Sequence, residues 1–370
     1  MRKETMEEIK IKVNGREVCG RAGQNVLEVA RENGIEIPAL CYHPHLSVVG
    51  SCRLCAVEVK GMWGVQMACT LNLQEGMEVT TESEIISQTR KSVLELLLMK
   101  YYDEGYARED REESEFEHWL NRYQVSRPSW VDSTPWTQKD SDSNPFVWVD
   151  MNKCILCTRC VRVCSEIQGS FVWGTSQRGA DTHIVAGAGQ SMLDAGCESC
   201  GLCVQVCPTG ALDDRLSIGV GIPEKIVNTV CTFCGVGCQL ALHVKDNKIT
   251  RVSVENDGPV NGIALCVKGR YGFQFVDHPD RLRKPMVRQY LLDGTGSREA
   301  GQGRGEWVEV DWDTALSIAA RKFAQIKNQS GSNAIGVLAS AKCTNEENYL
   351  FQKFARQVVG THSVDHCARL

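Results

Sequence analysis

Sixteen of the nineteen cysteines in this 370-residue chain fall into four groups of four, and their spacing limits the fold more than any other feature. Short loops that carry several cysteines, completed by one ligand from elsewhere, are typical of iron–sulfur clusters. The chain is therefore predicted to conduct electrons. The four groups are Cys41, Cys52, Cys55 and Cys69; Cys154, Cys157, Cys160 and Cys164; Cys197, Cys200, Cys203 and Cys207; and Cys231, Cys234, Cys238 and Cys266.

The spacing within each group predicts the type of cluster. The first group, C-x10-C-x2-C-x13-C with Gly50 before its central pair, predicts a 2Fe-2S cluster. The second and third groups are both C-x2-C-x2-C-x3-C, and in such paired runs the fourth cysteine ligates the other cluster. The fourth group, C-x2-C-x3-C-x27-C, suits a third 4Fe-4S cluster. The exchanged assignment gives one 4Fe-4S cluster to Cys154, Cys157, Cys160 and Cys207, and another to Cys197, Cys200, Cys203 and Cys164.

Other uses of cysteine remain as alternatives. Zinc also binds four thiolates from C-x2-C pairs, although three crowded cysteines with a distant fourth are unusual for it. Disulfides are disfavoured because the start MRKETMEEIK shows no export signal, which favours a reducing cytoplasm. The three remaining cysteines, Cys19, Cys343 and Cys367, are expected to be small packing residues.

Composition excludes some classes of partner. The formal net charge of −5 and the isoelectric point near 6.0 give no basic face for nucleic acid. No apolar segment is long enough to cross a membrane. With 42% hydrophobic residues, the chain can bury several cores.

The pattern along the chain predicts an α+β multidomain protein. In residues 1–82, the alternation of Ile9, Ile11 and Val13, the turn Asn14–Gly15 and a helix over 25–33 predict a β-grasp 2Fe-2S ferredoxin. Residues 83–145 are predicted to be a helical segment and linker, 146–222 a bacterial ferredoxin module with two 4Fe-4S clusters, 223–285 a further 4Fe-4S domain, and 286–370 the incomplete start of an α/β domain.

Several local elements are specific enough to be checked. A helix over 84–102 is predicted to place Ile85, Thr89, Val93, Leu96 and Leu97 near one face. A second helix, over 112–123, is predicted to carry Phe116, Trp119, Leu120 and Tyr123 on one face. Trp130 and Trp136 are expected to anchor the linker. Near the end of the chain, a helix over 313–327, a buried strand over 334–340, a helix over 345–359 and a strand from 363 predict a parallel β-α-β unit.

The order of the cysteine groups, together with CTFCGVGC, LCVKGRYG and DHCARL, closely resembles the catalytic subunit of cytoplasmic molybdenum- or tungsten-dependent formate dehydrogenases. The resemblance implies two molybdopterin guanine dinucleotides holding Mo or W, at which formate is oxidised or CO2 is reduced. It also implies that electrons leave through the clusters to a flavin- and NAD-binding diaphorase-like subunit or a hydrogenase module. The first 220 or so residues are also similar to the large complex I subunit and to iron-only hydrogenases.

The resemblance assigns roles to a few residues outside the clusters. Lys268 matches the family lysine between the fourth cluster and a pterin, where it would be catalytic and cofactor-binding, although a surface lysine in a K-G-R turn is the simpler alternative. Thr344, Asn345 and Glu346 match a helix start near the cofactor, although a capping box alone would explain Thr344.

The sequence departs from the family in two places. Residues 83–145 contain no cysteine, so the extra cluster held by one histidine and three cysteines is expected to be absent, and His118 is expected to be an ordinary helix-face residue. The family's metal-ligating cysteine or selenocysteine would directly follow Leu370, and a selenocysteine codon read as a stop would explain that end point. A standalone electron carrier and an electron-input module related to complex I or iron-only hydrogenase remain the alternatives.

Overall fold

The computed structural model of the chain describes residues 8–102, 112–131, 134–255, 257–292 and 305–366, arranged in two compact units. The first unit comprises the described parts of Met1–Val227, Leu242–Val254 and Ile263–Arg270. The second comprises those of Asn228–Ala241, Glu255–Gly262 and Tyr271–Leu370. None of the described helices is both long enough and apolar enough to cross a membrane.

The first unit begins with a five-stranded mixed sheet and one helix. The sheet has the order β2-β1-β5-β3-β4, with β1 parallel to β5 and the other neighbours antiparallel. Helix α1 contributes Val26, Leu27, Val29 and Ala30 to the core beneath the sheet. The elements are β1 (Glu8–Val13), β2 (Arg16–Arg21), α1 (Val26–Glu32), β3 (Ala56–Val59), β4 (Val65–Met67) and β5 (Glu78–Thr80).

Local sequence explains this part well. Asn14 and Gly15 both have positive φ, 52° and 79°, as the tight turn of a two-residue hairpin requires. Asn25 caps α1 and exchanges hydrogen bonds with Glu28 in a capping box, so the predicted hairpin and helix are both confirmed.

Two helices follow the sheet, α2 (Glu84–Leu98) and α3 (Glu115–Tyr123). The predicted face of α3 is confirmed, since Phe116, Trp119, Leu120 and Tyr123 are all buried. His118 lies beside them on the exposed side, 3.5 Å from a Glu113 carboxylate oxygen.

The predicted face of α2 is wrong. Ile85 and Leu96 are 61% and 65% exposed, whereas the buried positions include Arg90 at 0%. Arg90 donates to the Ala56 carbonyl at 2.8 Å, and to the Tyr123 hydroxyl at 2.7 Å. A polar residue at the centre of the buried face is satisfied only by tertiary partners, so an apolar pattern could not locate that face.

The linker is not anchored by its tryptophans. Trp130 is 73% exposed and Trp136 is 48% exposed. Polar contacts hold the segment instead. The Asn152 side chain accepts from the main-chain N–H groups of Trp136 and Thr137, at 3.0 and 3.1 Å, and Arg215 forms an ion pair with Asp140.

The rest of the first unit is built from short elements around a separate core. In this part β6 pairs with β9 and β7 pairs with β8, both antiparallel, and α4 continues into a π-helical turn over Val163–Gln168. Strands β10, β11 and β12 form one sheet in that order, and β10, β11 and α6 each include residues of the second unit. The elements are β6 (Val147–Val149), α4 (Arg159–Arg162), β7 (Trp173–Ser176), β8 (His183–Ala186), α5 (Leu202–Gln205), β9 (Leu212–Asp214), β10 (Lys225–Val230), β11 (Gln239–Lys245), β12 (Lys248–Ser253) and α6 (Val267–Tyr271).

In the second unit, β13 pairs with β14 antiparallel, and β15 pairs with β16 parallel across α9, which confirms the predicted β-α-β order. The strand at β15 is not buried as predicted, since Leu338 is 82% exposed. Two described strands make a small sheet that leaves one face uncovered. The elements are β13 (Met286–Arg288), α7 (Gln289–Leu292), β14 (Trp307–Glu309), α8 (Trp312–Ser330), β15 (Val337–Ala339), α9 (Asn345–Lys353) and β16 (Val364–His366).

Candidate iron–sulfur sites

The first cysteine group forms one buried cluster of thiols. Cys41, Cys52, Cys55 and Cys69 are between 1% and 7% exposed. The Cys52 main-chain N–H donates to Cys41 Sγ at 3.4 Å. Thiol hydrogen bonds from Cys52 and Cys69 hold the pKa of Cys41 well below its ordinary value, and a contact with Cys69 lowers the pKa of Cys55. The four sulfurs therefore face one another.

The loop that carries the central pair has the backbone predicted for it. Gly50 has φ +62°, and a Cβ at this position would lie 3.0 Å from the Thr70 Cγ2 methyl. Arg53, between the two cysteines, also has a positive φ of 60°. Only a residue without a side chain fits the first of these positions without strain.

The first three cysteines of the second group lie with the last cysteine of the third. The pKa of Cys154 and of Cys157 is raised to about 12, mainly by burial and in part by the charge of Cys207. Burial is also the main reason that the pKa of Cys160 is raised, followed by the charges of Cys157, Cys154 and Cys207. Cys154, Cys157, Cys160 and Cys207 are thus electrostatic neighbours.

The last cysteine of the second group lies with the first three of the third. Burial raises the pKa of Cys203, and the neighbouring charges of Cys200, Cys197 and Cys164 raise it further. Cys164 also contributes to the raised pKa of Cys197 and of Cys200. Cys164 therefore lies with Cys197, Cys200 and Cys203, although it follows Cys160 in the sequence.

Several N–H groups point at these sulfurs. The main-chain N–H of Ser199 donates to Cys197 Sγ at 3.3 Å, and that of Val172 donates to Cys164 Sγ at 3.3 Å. Such donors favour the thiolate form and tune a bound cluster.

The two cysteine runs also share one backbone shape. The residue two positions after the first cysteine is left-handed in both runs, Leu156 at φ 56° and Ser199 at φ 54°. The residue directly after the second cysteine is left-handed as well, Thr158 at φ 58° and Gly201 at φ 71°. The two loops are therefore structural repeats of each other.

These thiol sets fit iron–sulfur clusters. Buried thiolates are costly without a cation, and iron removes that cost because a metal-bound thiol is deprotonated outright. All described cysteines are free of disulfide bonds. Across the described ranges, no three His, Cys, Asp or Glu side chains have the arrangement of ligands to a single metal ion.

Three cysteines of the fourth group lie on one loop of the second unit. The Cys231 main-chain N–H donates to the Cys238 carbonyl at 2.8 Å and closes the loop, with Cys234 between them. Cys266 belongs to the first unit, where it is exposed and immediately precedes α6.

The family residues outside the clusters have simple local surroundings. Lys268 is exposed on α6. Thr344 caps α9 in a capping box with Glu347, as predicted, and Glu346 is exposed in the first turn. Asn345 is more informative, because a Cβ on Gly235 would lie 2.8 Å from its Oδ1. The start of α9 therefore contacts the loop of the fourth cysteine group.

Two features were not found from sequence. Cys19 is exposed on β2, so its interpretation as a packing residue is wrong; Cys343 is half-buried and Cys367 lies outside the described residues. The cysteine pattern also gave no role to Arg159, which is 3% exposed and donates to the Glu115 carboxylate at 2.7 and 3.0 Å. A basic residue inside a cysteine run is the signal that could have identified it.

Family comparisons match four segments of the chain. Residues 6–84 match a 2Fe-2S iron–sulfur cluster binding domain, and 144–213 match the ferredoxin-like domain of NADH-quinone oxidoreductase subunit 3. Residues 224–278 match a molybdopterin oxidoreductase Fe4S4 domain, and 281–370 match molybdopterin oxidoreductase.

Similar proteins span several oxidoreductases. The NADPH-Fe(3+) oxidoreductase subunit alpha of Geobacter sulfurreducens is 32% identical over 98% of this chain and 40% of its own length. An NADH-quinone oxidoreductase component of Rhizobium meliloti is 33% identical with the same coverage. A Staphylococcus aureus protein with the provisional name formate dehydrogenase is 28% identical over 98% of this chain and 39% of its own length.

A solved structure is also similar. A chain of the NAD+-reducing NiFe hydrogenase in the H2-reduced state has a TM-score of 0.50 and 29% identity, over 56% of this chain and 87% of that chain. The present chain spans about 40% of the length of the curated relatives. Its segments match iron–sulfur cluster domains and molybdopterin oxidoreductase domains.

Proposed function

We propose that this chain carries electrons between a pterin-bound metal centre and a partner subunit through one 2Fe-2S and three 4Fe-4S clusters. The observation that carries the proposal is the grouping of buried and half-buried thiols in the first unit. Cys207 lies with the first three cysteines of the preceding run, and Cys164 lies with the first three of the following run. This exchange is the ligand pattern of ferredoxins with two 4Fe-4S clusters.

Each cluster supplies reversible one-electron transfer when bound. The chain's own residues hold the thiolates in fixed loops, exclude water by burial and aim N–H groups at the sulfurs. These are the means by which a protein sets a cluster's reduction potential.

Formate is our proposed substrate at the pterin centre, with CO2 as the product. Its support is the resemblance of TNEENY and DHCARL to formate dehydrogenases, together with the relative that bears that provisional name. In this proposal Lys268 lies between the fourth cluster and a pterin, and Thr344, Asn345 and Glu346 lie near the cofactor. The contact of Asn345 with the loop at Gly235 supports a cofactor site beside that cluster.

The proposed partner is a diaphorase-like subunit that binds flavin and NAD, or a hydrogenase module. The similarity to NADH-quinone oxidoreductase and to an NAD+-reducing hydrogenase supports it. A second candidate is NADPH-linked electron transfer to iron, because the Geobacter sulfurreducens relative is named for that activity. A standalone electron carrier is the alternative without a substrate.

Metal analysis is the first test of this proposal. Anaerobically reconstituted protein should hold about 14 iron atoms per chain, from one two-iron and three four-iron clusters. Stoichiometric zinc would contradict the proposal, and iron near 18 atoms would indicate an additional cluster.

The whole encoded protein, purified with its pterin cofactor, should contain molybdenum or tungsten and reduce a dye with formate. NADPH-dependent dye reduction without formate turnover would favour the second candidate. Iron without molybdenum, tungsten or pterin would favour the standalone carrier.

A further inference from the structure

Arg162 connects the loops of two different thiol sets. It lies on α4 between Cys160 and Cys164, and it is 8% exposed. Its Nη2 donates to the Cys41 carbonyl oxygen at 2.6 Å and to the Cys157 carbonyl oxygen at 3.2 Å. Cys41 belongs to the first cysteine group, and Cys157 belongs to the set completed by Cys207.

This geometry fixes how closely the two loops approach. Because one nitrogen contacts both carbonyl oxygens, those oxygens lie less than about 6 Å apart. A second bond, from Nη1 to the Ser47 carbonyl at 2.6 Å, attaches the same guanidinium to the segment after Cys41. The Arg162 guanidinium therefore ties the two loops directly to each other, and Arg159 adds a bond from its Nη2 to the Tyr42 carbonyl at 2.7 Å.

The charge of Arg162 is balanced differently from that of its neighbour Arg159. Arg159 has the Glu115 carboxylate at 2.7 and 3.0 Å. The hydrogen-bond acceptors of Arg162 are three carbonyl oxygens and the Thr158 hydroxyl, all of them neutral. The exposed Glu166 carboxylate bonds to Ser47 and acts on Arg162 through its charge, without a hydrogen bond to the guanidinium.

A buried guanidinium with neutral partners is costly unless a nearby group supplies negative charge. Clusters ligated by four thiolates would supply that charge on both sides of Arg162. The positive charge of Arg162 would in turn act on the clusters, because a fixed cation favours the addition of an electron to either of them.

We propose that Arg162 is a positioning residue that holds the 2Fe-2S loop against the neighbouring 4Fe-4S loop and raises the reduction potential of both clusters. The inference rests on the proposed electron-transfer function. With clusters bound, the set of Cys154, Cys157, Cys160 and Cys207 would hold a one-electron donor and the set of Cys41, Cys52, Cys55 and Cys69 a one-electron acceptor, so that the electron lost at one site would be gained at the other.

The test compares three variants of the reconstituted protein by redox titration followed with electron paramagnetic resonance. Arg162→Gln removes the charge, Arg162→Lys retains it, and Arg215→Gln is the control. Arg215 suits that purpose because its guanidinium pairs with Asp140 in the linker.

Arg162→Gln should make the reduction of both clusters about tenfold less favourable, a downward shift of about 59 mV for each one-electron couple. In Arg162→Gln, the reduction equilibria of the other two 4Fe-4S clusters should change by less than about threefold. In Arg215→Gln, the same limit should hold for all four clusters. The potentials of Arg162→Lys should fall between those of Arg162→Gln and those of the unaltered protein. The lysine side chain is shorter than that of arginine, and its ammonium cannot donate two parallel hydrogen bonds.

Unchanged potentials in an Arg162→Gln protein that retains its iron would overturn the inference. If Arg162→Gln does not retain iron, the test uses Arg162→Lys. Reduction of both clusters that is about threefold less favourable in Arg162→Lys supports the inference, and unchanged potentials refute it. Failure of the unaltered protein to bind iron would instead overturn the proposed function, so the two failures are distinguishable.

Discussion

Replacement of Cys164 by alanine tests the exchange of ligands between the two cysteine runs. In a linear arrangement, Cys164 would complete the cluster of Cys154, Cys157 and Cys160. The structure instead places Cys164 among the cysteines of the following run, where its charge acts on Cys197, Cys200 and Cys203. Cys164→Ala should therefore damage the cluster of the following run.

The magnitude follows from the composition of one cluster. Loss of a four-iron cluster should lower the iron content from about 14 to about 10 atoms per chain. The matched variant Cys207→Ala should lower it equally but at the other site. Total iron alone cannot distinguish the two variants, so the assay has to report which cysteines become free.

Alkylation of the native protein followed by peptide mass mapping gives that information. In Cys164→Ala, the newly reactive thiols should be those of Cys197, Cys200 and Cys203. In Cys207→Ala, they should be those of the preceding run. Labelling of Cys154, Cys157 and Cys160 in Cys164→Ala, with the following run still protected, would refute the exchanged arrangement.

Two further predictions concern stability. Arg90→Met should destabilise the 2Fe-2S domain by about 4 kcal/mol, because it leaves buried acceptors unsatisfied. Tyr123→Phe is the milder control, with an expected loss of about 1 kcal/mol. The urea-induced loss of the two-iron absorbance measures the stability of both variants. A loss below 1 kcal/mol for Arg90→Met would contradict this reasoning. Burial raises the pKa of Asp214 to about 6 from an ordinary 3.8, so folding favours the protonated form and stability falls by up to about 3 kcal/mol as the pH rises from about 4 to about 6. Asp214→Asn should therefore be the more stable protein at pH 7.5 and equal to the unaltered protein near pH 4, as judged by urea unfolding; a less stable variant at pH 7.5 would count against it.

Local chemistry made some elements predictable. The Asn14–Gly15 turn, the capping box of α1 and the capping box of α9 are each determined by residues within four positions of one another. The spacing of the cysteines indicated which loops would carry thiols, because cluster ligation requires particular intervals in the chain.

Tertiary contacts decided what local patterns could not. The buried face of α2 centres on Arg90, whose partners Ala56 and Tyr123 are distant in sequence. Arg162 likewise acquires its role from carbonyl groups more than a hundred positions away, at Cys41 and Ser47. Periodicity identifies apolar stripes, and it contains no information about polar side chains that are buried by long-range partners.

The repeated, left-handed loops of the two cysteine runs have a consequence for assembly. With the proposed ligand sets, the two-iron site is complete once the chain has folded to Cys69. The next site begins at Cys154 but lacks its last ligand until Cys207, and the site that includes Cys164 is complete only at Cys203. The two four-iron sites of the cysteine runs are therefore completed almost together. Until then, Cys154, Cys157 and Cys160 lack their fourth ligand. During synthesis, the two-iron domain can mature by itself, whereas the two repeats can be loaded only as a joined pair.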